Sequence, residues 1–154
     1  MTELKQKFYC ETEEKTNLLA QKVSALSRQG DVFALYGTLG MGKSVFARSF
    51  IQCLCGKTEV PSPTFTLVQT YDAPNFEIYH FDLYRLKSAE EVFELGIEEA
   101  MYEGVCLIEW PEKMASYLPQ KAIKVTLTPY ENGRQIEFKF NNEETYQRFA
   151  SLKE

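Results

Sequence analysis

The chain has 154 residues and a formal net charge of −5 at pH 7, which disfavours broad, non-specific nucleic-acid binding but leaves room for a local basic patch. Hydrophobic residues make up 44% of the chain and aromatic residues 14%, and this composition excludes a disordered protein. We expect a single domain over residues 1–154 with a modest core.

The first part of the chain predicts strand, helix, strand and helix. Residues 7–10 indicate a short edge strand, and Thr12 predicts the N-cap of the helix that follows. Gly30 predicts the end of that helix. Its buried face is expected at apolar residues with helical spacing: Leu18, Leu19, Val23 and Leu26. Residues 31–36 then indicate a buried strand. Residues 43–55 predict an amphipathic helix with four inward side chains: Phe46, Phe50, Ile51 and Leu54.

The middle of the chain predicts a hairpin and a helix. Residues 64–71 and 76–84 alternate like strands and are joined by turn residues, which is typical of an antiparallel hairpin. Ser88 and Glu91 have the spacing of a capping box and predict a helix start. Gly96 is expected near the end of that helix or in a break, and residues 97–101 are expected to add a turn.

The last part of the chain predicts three strands and a terminal helix. Residues 105–108 are continuously apolar, which is typical of a buried parallel strand. Residues 121–128 and 134–140 predict a hairpin around Asn132-Gly133, and residues 142–152 predict a helix. Because strands and helices do not simply alternate, we expect a mixed α/β fold with antiparallel additions.

The segment Gly37-Thr38-Leu39-Gly40-Met41-Gly42-Lys43-Ser44 has the form G-x-x-x-x-G-K-S. It lies between a predicted strand and a predicted helix, the context in which this pattern forms a phosphate-binding loop. We expect Lys43 to reach the β- and γ-phosphates of a nucleotide and the Ser44 hydroxyl to bind Mg²⁺. The residues expected to contact the nucleotide are Gly37, Leu39, Gly40, Met41, Gly42, Lys43, Ser44 and Val45.

A phosphate loop needs a second group that positions Mg²⁺ and the attacking water, and two carboxylates are candidates for it. Glu109 follows the apolar run 105–108, so we expect it at the carboxyl end of a strand, where open α/β sheets bind ligands. Asp82 lies in the second strand of the first predicted hairpin. We assign Glu109 to Mg²⁺, partly through water, and Asp82 to Mg²⁺ positioning or to orientation of the attacking water.

Thr64 and Trp110 are further candidates near this site. Thr64 has the position of a switch hydroxyl that senses the γ-phosphate through Mg²⁺, and the alternative is a turn made rigid by proline. Trp110 is the only tryptophan and follows Glu109 directly. We expect it to report on the site, although a core or rim aromatic is the alternative.

The four cysteines are expected to be small buried side chains in a reducing compartment: Cys10, Cys53, Cys55 and Cys106. A zinc site is not expected, because His80 is the only histidine and there is no C-x-x-C pair. A membrane span needs about 20 apolar residues, and no apolar run in the sequence approaches that length. The N-terminus lacks the apolar segment of a signal peptide. We therefore expect a cytoplasmic protein with no membrane partner.

These landmarks together resemble the TsaE (YjeE) family of small bacterial ATPases. The resemblance rests on four blocks: residues 37–44, then Ser62-Pro63-Thr64-Phe65-Thr66-Leu67-Val68, His80-Phe81-Asp82-Leu83-Tyr84-Arg85-Leu86 and Ile108-Glu109-Trp110-Pro111-Glu112. The last two blocks are far more specific than the phosphate loop alone. The chain departs from the family pattern at Thr38, Met41 and Ser44, where the family usually has an acid, an alanine and a threonine.

The resemblance implies an α/β fold of the P-loop NTPase kind, with a mixed sheet, antiparallel hairpins and flanking helices. It implies ATP and Mg²⁺ as ligands and a role in forming N6-threonylcarbamoyladenosine at position 37 of tRNAs that read ANN codons. It also implies that ATP hydrolysis supports a TsaD–TsaB heterodimer, through which tRNA is reached. The matching functional positions are Lys43, Ser44, Thr64, Asp82, Glu109 and Trp110, with Thr12, near the adenine, and Arg134 as looser matches.

Three alternative functions differ from this ATPase interpretation in their chemistry or in their rate of hydrolysis. A small-molecule kinase would stabilise the transferring phosphoryl group with several arginines, and the arginines here are not clustered in sequence. A GTP-dependent switch would need an N-K-x-D element, which the sequence lacks. A nucleotide-dependent binding module with negligible turnover stays open. Without clustered arginines, we expect weak hydrolysis by the protein alone and stimulation by its partners.

Overall fold

The structure is a computed structural model that describes residues 4–37, 42–56, 58–61 and 66–153. Within these ranges seven strands form one sheet: β1 Lys5–Cys10, β2 Val32–Gly37, β3 Val68–Asp72, β4 Glu77–Asp82, β5 Val105–Glu109, β6 Ile123–Tyr130 and β7 Gly133–Lys139. The α-helices are α1 Glu13–Leu26, α2 Lys43–Cys55, α3 Ile97–Glu103 and α4 Glu143–Arg148. Short 3₁₀ helices cover Ala89–Leu95, Pro111–Tyr117 and Ala150–Lys153.

The sheet is mixed, with strand order β1-β7-β6-β2-β5-β4-β3. Strand β2 pairs in parallel with β5 and β6, and β4 pairs in parallel with β5. The β1–β7, β6–β7 and β3–β4 pairs are antiparallel. The predicted mixed α/β fold with two hairpins is therefore confirmed, and the carboxyl ends of the parallel strands share one edge of the sheet.

Side chains of β2 alternate between two hydrophobic clusters, one on each face of the sheet. Phe33 and Leu35 pack with Phe46 and Phe50 of α2, and the Phe33 and Phe50 ring centroids are 5.3 Å apart. Ala34 packs on the other face, with residues of the Ala89–Leu95 segment and α3. Burying a phenylalanine side chain stabilises a fold by about 1.5–3 kcal/mol, so these contacts hold α2 firmly on its face.

Helix α1 differs in two details from its prediction. The Thr12 hydroxyl accepts a hydrogen bond from the Lys15 N–H at 3.2 Å, which confirms the N-cap. Leu18, however, is 50% exposed, because Leu19 occupies the neighbouring position that faces the core. The helix ends at Leu26 with an extended C-cap at Ser27, so the prediction that Gly30 ends it was wrong.

Short helical segments account for most remaining differences. The Ser88–Glu91 capping box is confirmed, but it opens a 3₁₀ helix that ends at Leu95, with Gly96 as its C-cap. The 3₁₀ helix Pro111–Tyr117 was not predicted, and the predicted terminal helix is split into α4 and a 3₁₀ turn. The β6–β7 turn residues are Glu131 and Asn132, one position before the predicted pair, and Glu131 has φ 51°. Strand β3 begins at Val68, whereas the prediction began at 64, outside the described residues.

The cysteines are not uniformly buried. Cys10 and Cys106 lie in the two hydrophobic clusters, as expected. Cys53 is exposed and Cys55 is half-buried, so that expectation was wrong for both. The reason is that Phe46, Phe50 and Ile51 already fill the face of α2 that meets the sheet.

None of the helices in the described part of the chain has the length and apolarity to cross a membrane.

We expect a thiol reagent to modify Cys53 first and to leave Cys106 untouched in the folded protein, even when the pH rises from 7 to 9. The thiolate is the reactive form, and burial raises the pKa of Cys106 to about 12. Timed labelling followed by peptide mass spectrometry measures the order, with labelling in denaturant as the control. Modification of Cys106 as fast as Cys53 would contradict this burial.

Candidate functional site

The ends of the predicted phosphate loop have conformations that favour glycine. Gly37 has φ 144°, and a Cβ there would lie 2.6 Å from the Leu127 carbonyl oxygen. Gly42 has φ 96° and is the N-cap of α2, where its carbonyl oxygen accepts a hydrogen bond from the Phe46 N–H at 2.8 Å. Strand, glycines and helix N-terminus thus have the arrangement that suits phosphate binding.

Four predicted site residues lie outside the described residues: Leu39, Gly40, Met41 and Thr64. Their contacts with a nucleotide and the switch role of Thr64 stay predictions. Val45, by contrast, is described and lies half-buried in the first turn of α2.

Glu109 is engaged through both of its carboxylate oxygens. The Ser44 Oγ donates a hydrogen bond to Glu109 Oε1 at 3.3 Å, and His80 Nε2 lies 2.7 Å from Glu109 Oε2. Glu109 is 4% exposed and His80 is 1% exposed, whereas Ser44 is open to solvent. A polar row therefore runs from the exposed start of α2 through the end of β5 to the buried side of β4.

Asp82 lies beside Glu109 because the two residues are in register across the parallel β4–β5 pair. It is 6% exposed, and its Oδ1 accepts a hydrogen bond from the Tyr84 N–H at 3.1 Å. The Leu83 N–H donates to the Glu109 carbonyl oxygen at 3.1 Å, which ties the ends of the two strands together. The structure thus brings both predicted acids to one point of the sheet edge.

Lys43 contacts Trp110. The Lys43 Nζ lies 4.2 Å from the centroid of a Trp110 ring, and Lys43 is only 6% exposed. Trp110 has φ 58° and ψ 49°, an uncommon conformation for a residue other than glycine, and it turns the chain from β5 into the next 3₁₀ helix. Its ring centroid lies 4.9 Å from that of Tyr84. A cation–π contact of this kind is worth about 0.5–2 kcal/mol, so it holds the ammonium at the loop.

The looser candidates Arg134 and Thr12 are placed differently. Arg134 Nη1 donates to Thr16 Oγ1 at 3.0 Å, and its Cδ approaches Gly42, so it lies at the end of the loop. The Thr12 hydroxyl is used as the α1 cap. Its side-chain oxygen therefore already has a partner within the fold.

The oxygens of Ser44 and Glu109 form a donor set that fits Mg²⁺. Both are hard ligands, and they lie side by side. Within the described ranges no group of three or more His, Cys, Asp or Glu side chains is arranged to hold a metal ion. Such a cluster is not required, because Mg²⁺ is commonly held by one or two carboxylates together with substrate phosphates and water.

His80 is the site residue that sequence reasoning missed. In the sequence it is a lone histidine that argues against zinc and part of the block 80–86, and neither observation gave it a role in the site. Its position two residues before Asp82 on one strand was a usable signal, because side chains two apart on a strand point to the same face. His80 Nδ1 is buried and has no hydrogen-bond partner among the described residues.

Comparison with known proteins gives one family. The sequence profile described as "Threonylcarbamoyl adenosine biosynthesis protein TsaE" matches residues 10–136. The tRNA threonylcarbamoyladenosine biosynthesis protein TsaE of Rickettsia conorii is 45% identical over 126 residues, which covers 81% of this chain and 72% of the relative. The protein of the same name from Bacillus subtilis is 36% identical over 115 residues, covering 74% of this chain and 72% of the relative.

The fold is also that of a solved protein. The crystal structure of Bacillus subtilis YdiB matches with a TM-score of 0.79 and 28% sequence identity, covering 99% of this chain and 97% of that one. The similarity extends over nearly the whole of both chains. It confirms the expected α/β fold of the P-loop NTPase kind.

We expect the His80–Glu109 contact to stabilise the protein by about 1–3 kcal/mol, because either partner alone would be a buried polar group without its hydrogen bond. A double-mutant cycle with His80→Ala and Glu109→Ala isolates the pair, and urea unfolding measures it. His80→Gln, whose amide can donate to the same oxygen, should lose less than His80→Ala. A coupling energy near zero would contradict this role.

Proposed function

The chain belongs to the TsaE family, and from that membership we propose that it binds and hydrolyses ATP with Mg²⁺ in support of tRNA threonylcarbamoyladenosine formation. The proposed partners are a TsaD–TsaB heterodimer, and tRNA is reached through that complex. We propose further that residues 1–154 act as one P-loop ATPase domain in the cytoplasm.

The observation that carries the proposal is the convergence of three kinds of group at one sheet edge. The N-terminus of α2 and Lys43 supply positive charge for phosphate oxygens. Ser44 and Glu109 supply two adjacent oxygen ligands. Asp82 adds a second carboxylate in register with the first. Phosphoryl transfer needs little more from a protein than such positioning and charge stabilisation.

Lys43 is the proposed phosphate ligand. In the structure its ammonium lies over the Trp110 ring. A nucleotide offers it anionic oxygens, which form stronger charge-assisted contacts than an aromatic ring does. We therefore expect Lys43 to move toward the β- and γ-phosphates and the environment of Trp110 to change with it.

Ser44 and Glu109 are the proposed magnesium ligands. Bound Mg²⁺ neutralises the negative charge that develops on the transferring phosphoryl group. His80 holds Glu109 Oε2, so the other oxygen stays directed toward Ser44. Asp82, fixed by the Tyr84 N–H, is proposed to position the same ion or to orient the attacking water.

Partner dependence follows from the placement of the arginines. They are not clustered in the sequence, and Arg134, which approaches Gly42, already donates to Thr16. An arginine supplied in trans accelerates phosphoryl transfer by about 10³–10⁵-fold in other P-loop enzymes. The partner is therefore proposed to complete the site, by a residue of its own or by acting through the segment 61–64.

Lys43→Ala is expected to weaken ATP binding by roughly 10- to 100-fold or more, since charge-assisted contacts are worth about 1.5–3 kcal/mol each. Calorimetry with ATP measures the affinity. Lys87→Ala, which removes an exposed lysine outside the site, is the matched control. Unchanged ATP affinity in folded Lys43→Ala protein would refute the assignment.

Steady-state phosphate release tests the activity itself. We expect a low rate for the protein alone and a clear rise when purified TsaD–TsaB heterodimer is added. Glu109→Ala and Asp82→Ala should abolish most of the stimulated rate while ADP affinity stays near normal, because loop amides and Lys43 hold the phosphates. A rate unaffected by the heterodimer would refute partner gating, and tight ATP binding with no turnover would favour the binding-module alternative.

A further inference from the structure

One face of the sheet is left open at its β6–β7–β1 end. Along β6 the side chains of Ile123, Val125 and Leu127 are buried in the cluster that includes α1 and α2. The alternate residues of β6 therefore lie on the opposite face. Lys124 is exposed there, so this part of the face is open to solvent.

Lysines lie directly opposite one another on that open face. Lys124 pairs with Lys139 across the β6–β7 ladder, and Lys139 pairs with Lys5 across the β1–β7 ladder. Like charges at directly opposite positions destabilise a sheet. No carboxylate of the described residues lies within 4.0 Å of the Lys124 or Lys139 ammonium. The chain therefore places two like charges opposite each other, with no described carboxylate paired to either, although its net charge is negative.

A cavity of about 510 Å³ lies at this lysine pair. Lys124 and Lys139 line it together with polar side chains of Tyr36, Gln120 and Asn141, and Leu118 contributes to an apolar wall. Among the described residues, none that lines it is acidic. Small-ligand cavities commonly have volumes of about 300–1,000 Å³ and combine apolar walls with a few convergent polar groups.

The cavity is separate from the candidate nucleotide site. Helix α2 packs on the face of the sheet that carries Phe33 and Leu35. Lys124 and Lys139 lie on the other face, by the alternation of β6 and β7. A ligand in this cavity therefore would not use Lys43, Ser44 or Glu109.

We propose that this cavity is a second anion site, which binds a phosphate group through Lys124 and Lys139. Two neighbouring ammonium groups match the charge and the several acceptor oxygens of a phosphate, and the amides of Gln120 and Asn141 provide further donors. The apolar wall accommodates the organic part of the ligand. A small phosphate ester or polyphosphate and the backbone of an RNA carry the same chemistry.

The test uses the full chain with Lys43→Ala, which weakens phosphate binding at the loop. Pyrophosphate binding is measured by calorimetry, and binding of a fluorescently labelled tRNA transcript is measured by anisotropy. Lys124→Gln with Lys139→Gln is compared with Lys22→Gln and Lys87→Gln, a pair that removes the same charge elsewhere. Lys124→Arg with Lys139→Arg keeps the charge.

We expect the double glutamine variant to weaken binding about tenfold or more, while the control pair and the arginine pair retain it. Its thermal midpoint should be unchanged or higher, because a repulsive pair has been removed. For RNA, the slope of log K against log salt should also fall by about 0.7–0.9 for each lysine lost.

Binding of pyrophosphate identifies a small phosphate ligand, and binding of the transcript alone identifies RNA; either result supports the proposal. If neither probe binds the Lys43→Ala protein, or if the double glutamine variant binds as well as its parent, the proposal is overturned. A polyglutamate peptide that binds more tightly than both probes would also overturn it, in favour of an acidic protein partner.

Discussion

The parallel register of β5 between β2 and β4 is the constraint on which the candidate site depends. It places Asp82 beside Glu109 and brings the end of β2, where the phosphate loop begins, to the same edge. Helix α2 starts at that edge and is held on the sheet by Phe46 and Phe50. The contact between Ser44 and Glu109 therefore joins residues 65 positions apart in sequence, and it depends on the strand pairing that brings them to the same edge.

The polar row at this edge shows how the fold handles buried charge-bearing groups. A buried carboxylate without partners is costly, and Glu109 avoids that cost by using Ser44 on one side and His80 on the other. The Ser44 side is exposed, so a ligand can enter there without disturbing the buried His80 contact. Rigidity on one side and access on the other suit a site that has to exchange its ligand.

Much of the architecture could be predicted because its signals are local. The continuous apolar run before Glu109 marked a parallel strand, and the capping residues Thr12 and Ser88 marked two helix starts. The predictions were wrong where neighbouring side chains compete for the same buried position. Leu19, and not Leu18, faces the core. Cys53 is exposed because aromatic side chains occupy the face of α2 that packs on the sheet. The 3₁₀ helix that begins at Pro111 depends on the left-handed conformation of Trp110, which no sequence pattern predicts.

The sequence by itself identified the family and predicted a phosphate loop and two acidic site residues, because each of these signals is carried by contiguous residues in a short block. Only the tertiary structure decided what touches what. The structure shows that His80 contacts Glu109 and that the Lys43 ammonium lies over Trp110. It also shows that Lys124 lies opposite Lys139 across the β6–β7 pair. A register cannot be read from either strand alone, because it is set by the packing of the sheet against its helices.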